Sequence, residues 1–143
     1  MTAKEAIIRH LLSRFEITNV VGQRIRPNKA AQEETKPYIV VRTEGAKPNY
    51  HATGDSGFQL TEVRVTCHGR TETEASQVAE LVRLYSSGRP AGYVPGTSFW
   101  IRSIMIRDLI DESQSPSSGD EMGYPAVVVP MDVWHNVETN TAW

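Results

Sequence analysis

Four histidines (His10, His51, His68 and His135) and one cysteine, Cys67, are the side chains best equipped to ligate a metal or to act as nucleophile and base. Their spacing supports neither role. The histidines fall on different segments, and no pair shows the close spacing of a metal site, so each is read as a surface or interface residue. Cys67 adjoins His68, but neighbouring side chains on a strand point to opposite faces, and Cys67 alternates with Val63 and Val65. It is read as a small buried hydrophobe, and as the only cysteine it excludes an internal disulfide. Asp111, Glu112, Asp120 and Glu121 supply oxygens suited to a hard cation. They lack the calcium-loop pattern and are read as a solvated, charged tip. Gly88, Gly92 and Gly96 have the spacing of a phosphate-cradling loop, yet they follow a helical pattern instead of joining a strand to a helix, so they are read as a turn region. The nucleotide-binding, zinc-protease and serine-hydrolase signatures are absent. The expectation is a protein that is not an enzyme and needs no cofactor and no metal.

The elements that must position these residues are legible as periodicity. Thr2 and Glu5 have capping-box spacing, and Ile7, Ile8, Leu11, Leu12 and Phe15 recur at helical spacing, which predicts a helix over 2–15. Arg24 to Pro27 reads as a short extended piece, and Asn28 to Lys36 as polar loop. Tyr38 to Thr43 is rich in β-branched residues and predicts a strand. Gly45 to Gly57 carries turn chemistry, and Phe58 to His68 alternates as a half-buried antiparallel strand. Thr71 and Glu74 repeat the capping-box spacing before the stripe Ala75, Val78, Ala79, Val82 and Tyr85, which predicts a helix over 72–87. Phe99 to Ile110 is strand-like with apolar residues in both registers, as a bulge or burial of both faces would produce. Pro125 to Val137 is the last strand, with Val127, Val129, Met131, Val133 and Val137 on one face. The fold class expected is therefore α+β. Its order is helix, strand, strand, helix, strand, strand, with an antiparallel sheet of about four strands, two helices on one face and long loops between strands.

The chain of 143 residues is long enough for one domain with a core of its own, 1–143, ending in a polar tail from about 138. No secretory signal is visible, since Glu5, Arg9 and His10 interrupt the first apolar stretch, and the longest apolar run, Ala126 to Val129, is far too short to cross a membrane. A soluble intracellular protein is expected. Its net charge of −2 gives no global attraction to nucleic acid. That near-zero total conceals two arms. Arg24, Arg26, Lys29 and Lys36 against Glu33 and Glu34 make the first polar segment +2, whereas Asp111 to Gly123 carries −4 and no basic residue. If the helices cover one sheet face, then Arg42, Glu62, Arg64, Asp132 and Trp134 fall on the other. A tryptophan among charges on an open face reads either as a protein interface or as a ring lying flat on its own sheet, and opposite charges on separate arms suit a head-to-tail contact between copies. The expected interface residues are Arg24, Arg26, Lys29, Lys36, Arg42, Arg64, Asp111, Glu112, Asp120, Glu121 and Trp134.

The chain resembles the tail-terminator or tail-completion proteins of long-tailed bacteriophages. The likeness is carried by Val20-Val21-Gly22-Gln23-Arg24-Ile25 after the first helix, Pro37-Tyr38-Ile39-Val40-Val41, Thr61-Glu62-Val63-Arg64-Val65, Glu74-Ala75 to Leu84-Tyr85 with Ser87-Gly88, and Gly123-Tyr124-Pro125-Ala126-Val127-Val128-Val129-Pro130. The resemblance covers nearly the whole chain and rests on element order and residue type. It implies a structural virion protein forming a hexameric ring that caps the tail tube, ends its polymerisation and offers its other side to the head connector or stopper protein. It further implies assembly in the host cytoplasm and DNA passing through the lumen without sequence-specific binding. Alternative readings are another neck component, a head-completion or stopper protein, and a small enzyme or ligand-binding domain using a pocket under the Gly88 to Gly96 loop.

Overall fold

A computed structural model describes residues 2–30, 34–51, 54–87, 89–111 and 125–136. Helix α1 (Ala3–Leu12) starts where expected, with Thr2 Oγ1 accepting a hydrogen bond from the Glu5 N–H at 3.2 Å. It stops one turn early. The Ser13 hydroxyl bonds the His10 carbonyl at 2.6 Å, Arg14 is extended (φ −97°, ψ 109°), and a second helix, α2 (Phe15–Val21), leaves in a new direction. The expected single helix over 2–15 is thus two helices, and Phe15, placed on the buried stripe by periodicity, is 70% exposed.

Seven strands follow: β1 (Ile25–Pro27), β2 (Tyr38–His51), β3 (Gly54–His68), β4 (Gly92–Tyr93), β5 (Trp100–Ile106), β6 (Ile110–Asp111) and β7 (Ala126–Asn136), with α3 (Glu72–Ser87) between β3 and β4. The sheet order is β1-β2-β3-β7-β5-β4, and β6 takes the edge of β7 where β5 leaves it. The four-strand sheet and the order helix, strand, strand, helix, strand, strand are therefore corrected, among the described residues, to seven strands and three helices. The additional strands are two or three residues long, too short for periodicity to register. Gly45 to Gly57 is not a loop in its described part: β2 runs on to His51 and β3 begins at Gly54, and the two pair antiparallel throughout. Irregularities between Thr43 and Gly45 and between Pro48 and Tyr50 absorb residues that a regular strand excludes. The mixed parity of Phe99 to Ile110 resolves as expected, through a shift between Ile101 and Ser103.

One sheet face carries the core. Ile39 and Val41, Val63, Val65 and Cys67, Val129, Met131 and Val133, with Ile101 and Ile104, meet Ile7 and Leu11 of α1, Ile17 of α2, and Ala75, Val78, Ala79 and Val82 of α3. Cys67 is fully buried, as expected, and burial pushes its thiol pKa up. His10 and His135 depart from the surface reading: they are 2% and 3% exposed. His135 Nδ1 donates to the Asn136 carbonyl and Nε2 lies 2.6 Å from the Thr61 hydroxyl, so a neutral ring has both nitrogens satisfied inside the core. Among the described residues no helix is long and apolar enough to cross a membrane.

The start of α3 uses both expected polar residues. Thr71 Oγ1 accepts from the Glu74 N–H at 3.1 Å, and the Glu74 carboxylate accepts from the Arg70 N–H at 2.8 Å. Replacing Thr71 with alanine removes the side-chain acceptor and is expected to lower stability by about 1 kcal/mol. Urea unfolding monitored by circular dichroism checks this, with an unchanged midpoint as the contrary result.

Candidate assembly surface

The second sheet face follows from strand register. Arg42 and Arg64 stand directly opposite each other on β2 and β3, Glu62 and Asp132 on β3 and β7, and Trp134 lies half-buried between Leu60 and Ser103. This is the face expected for Arg42, Glu62, Arg64, Asp132 and Trp134. Like charges directly across strands repel. Arg42, Arg64 and Asp132 find relief nearby: Arg42 Nε donates to the Asn28 carbonyl at 2.8 Å, Arg64 pairs with Glu44 at 3.7 Å, and Asp132 pairs with Arg107 at 3.5 Å. Asp132 Oδ1 is buried and has an ion pair but no hydrogen bond, so its negative charge is incompletely satisfied.

At the β2 end of this face lies a groove of about 430 Å³ lined by Lys29, Tyr38, Arg42, Glu44, Arg64 and His68. Tyr38 and His68 stack at its floor with ring centroids 4.6 Å apart. Partial burial, then the charge of Lys36, holds the His68 pKa below its ordinary value. Lys29, Arg42 and Arg64 are thus brought together. Arg24 and Arg26 have acceptors within their own arm: Arg24 Nε donates to the Pro37 carbonyl at 3.0 Å, and Arg26 pairs with Glu34 at 3.0 Å. Lys29 is exposed, as is Arg26, and Lys36 precedes a cis bond to Pro37.

Asp111 lies elsewhere. It ends β6, opposite Val127, beside an open groove of about 850 Å³ that runs along α3 past Val20, Leu81 and Leu84. Register nevertheless connects it to the basic arm. Ile25 pairs with Ile39, Ile39 with Cys67, Cys67 with Val127, and Val127 with Asp111, a single row from one sheet edge to the other. At four strand spacings the two ends are about 19 Å apart. Glu112, Asp120 and Glu121, like Gly88, Val137 and the tail from 138, lie outside the described residues.

A cleft of about 490 Å³ opens beside the loop after α3, lined by His10, Ser13, Arg14, Arg89, Gly92 and Tyr93. Burial, then the nearby Arg89 and Arg14 charges, lowers the His10 pKa to about 4, so the ring is neutral at pH 7. Its Nε2 is 3.4 Å from Ser86 Oγ, and the Ser13 hydroxyl is committed to the His10 carbonyl. No nucleophile is paired with a base and an orienting acid here. A pocket at the Gly88 to Gly96 loop was among the alternative readings, and this cleft lies there. The part of Arg14 was not legible, because it sits inside what reads as one continuous helix and nothing in the spacing of Arg14 and Arg89 joins them.

Comparison with known proteins adds the family. The model of the tail completion protein gp17 family matches residues 5–116. No curated protein sequence matches the chain. Among solved structures, a chain of the virion of a native gene transfer agent particle superposes with a TM-score of 0.67 at 11% identity, covering 96% of this chain and 95% of that one. The bacteriophage SPP1 gp17 protein gives a TM-score of 0.49 at 16% identity, over 96% and 90% of the two chains. With a family match across most of its length, this chain belongs to the gp17 tail completion protein family.

Proposed function

We propose that the protein is a non-enzymatic virion component that assembles as a ring on the end of the phage tail tube, stops its growth and forms the joining surface to the head connector or stopper. The observation that carries this reading is the row from Ile25 to Asp111. It puts the basic arm on one edge of the sheet and the root of the acidic segment on the opposite edge at the same level. Side-by-side copies then present unlike charges to each other, and a heterologous contact of this kind repeats until the ring closes. A hexamer is the stoichiometry that the resemblance implies.

Lys29, with the outer surfaces of Arg24, Arg26 and Lys36, faces Asp111, Glu112, Asp120 and Glu121 of the neighbour. Exposed pairs contribute about 0.2–1 kcal/mol each, so they select register while apolar contacts supply the energy. Arg42, Arg64 and Trp134 lie on the second sheet face, where they meet the tube or the adjoining subunit. DNA passes through the lumen without sequence-specific contact, and assembly takes place in the host cytoplasm before the ring joins the virion.

Electron microscopy of the protein mixed with purified tail tubes tests the proposal. Rings at one end of each tube are expected, and bare or uniformly coated tubes would reject it. Binding to filled heads but not to tubes would assign the protein to another position in the neck. Reversing Asp111, Glu112, Asp120 and Glu121 to lysine should shift sedimentation toward the single subunit, and an unchanged assembly state would remove the arm-to-arm contact.

A further inference from the structure

We propose that the cleft between Arg14 and Arg89 is a binding site for a carboxylate side chain presented by an acidic segment of a partner protein. The two guanidinium groups enter it from different elements, Arg14 from the break between α1 and α2 and Arg89 from the loop after α3. The Arg14 guanidinium carbon lies over the Tyr85 ring, 5.4 Å from its centroid, a cation–π contact that holds the group in place without engaging its N–H groups. Arg89 donates to the carbonyl oxygens of Pro90, Gly92 and Tyr93 at 3.2, 3.4 and 2.9 Å. Those acceptors are neutral. They fix the guanidinium in place and leave its charge intact.

Among the described residues no carboxylate lines the cleft. The C-terminal ends of α1 and α3 open toward it and contribute about half a negative charge each, which lets two cations share the space and still leaves positive charge in excess. The neutral, buried His10 adds none. Two preorganised guanidiniums with no anion between them match the planar, two-oxygen geometry of a carboxylate. A nucleic-acid backbone fits less well. Productive phosphate binding rests on about six to ten contacts along a track, and this cleft offers two cations on a chain of net charge −2. The site is also separate from the row that joins the two arms. Gly92 pairs with Ile101 and Ile101 with His135, eight residues along β7 from Val127, or about 26 Å. It therefore serves a contact at the other end of the sheet, whether or not the copies form a ring.

Titration of the full-length protein with a hexaglutamate peptide, followed through the His10 ring signals by NMR, tests the site. Saturable binding is expected in low salt, weakened about tenfold by Arg14→Gln and unchanged by Lys29→Gln, with hexaglutamine silent. Among the described residues the Arg14 side chain touches the Tyr85 ring and has no side-chain hydrogen bond, and its backbone bonds are untouched by the substitution. A circular dichroism melt confirms that the variant is folded, and Arg89→Lys provides a second, independent reduction. No binding of hexaglutamate, equal binding by wild type and Arg14→Gln, or equal weakening by Lys29→Gln would overturn the proposal. A duplex oligonucleotide that binds through Arg14 where the peptide does not would overturn it in favour of phosphate.

Discussion

Replacing Gly69 with alanine is expected to destabilise the protein by about 3 kcal/mol, near the top of the range for overpacking. Gly69 is the junction between β3 and α3, and its N–H donates to the Pro125 carbonyl at 3.2 Å. A Cβ added there would lie 2.5 Å from the Ala75 backbone nitrogen, 3.0 Å from the Thr71 carbonyl oxygen and 3.1 Å from the Ala75 Cα. All three are main-chain atoms of the first turn of α3 or its cap. None can rotate away, as the end of a long side chain would. Either α3 rises off the sheet, opening the packing of Ala75, Val78 and Ala79, or β3 loses its pairing with the start of β7. Gly92→Ala is the control, because an added Cβ there meets nothing within 4 Å. Urea unfolding of both variants checks the contrast, and a Gly69→Ala protein as stable as wild type would show that the junction relaxes freely.

Acidification is the second large effect. His10 has its pKa lowered from 6.5 to about 4, by burial first and then by the charges of Arg89 and Arg14. The unfolded chain takes up this proton near pH 6.5, whereas the folded chain resists it until about pH 4. Stability is therefore complete above pH 6.5, falls as pH drops through the interval down to about 4, and levels off for this group below that. The loss is about 3 kcal/mol, set by the difference between the two pKa values. His68 and His135, both lowered chiefly by burial, act in the same direction. Urea midpoints at pH 7, 5.5 and 4 measure the slope. His10→Gln, whatever its stability at pH 7, should flatten that slope, and a variant as acid-sensitive as wild type would exclude His10 as its source.

These two sites differ in how far they were legible in the sequence. The helix that Gly69 abuts is plain from Thr71, Glu74 and its apolar stripe, because a long amphipathic segment repeats its signal every turn. The close approach of Gly69 to that helix depends on where β3 ends in space, which periodicity does not encode. His10 lies on the core side of α1 along with Ile7 and Leu11, yet a histidine on an apolar stripe reads equally well as its polar margin. The break at Arg14 left no signal, since Phe15 continues the stripe that the backbone abandons.

The candidate surface was legible in part for a similar reason. Alternation assigns Arg42, Glu62, Arg64, Asp132 and Trp134 to one face without reference to which strands are neighbours. Placing the basic arm and Asp111 at opposite ends of one row requires knowing that β7 lies beside β3 and β6 beside β7. The first joins segments separated by a helix and three strands, and the second rests on a strand only two residues long. The charges of the two arms could be counted from residue types alone, whereas the bonds that engage Arg24 with Pro37 and Arg26 with Glu34 could not.

The borders of the sheet carry a further consequence. β1 is three residues long and ends in a proline, β4 is two residues long, and the outer side of β2 beyond Val41 is interrupted by Pro48 and by two shifts in register. Proline lacks the N–H that a new strand would need, and such short borders offer few consecutive hydrogen bonds. These borders therefore disfavour edge-to-edge pairing between copies.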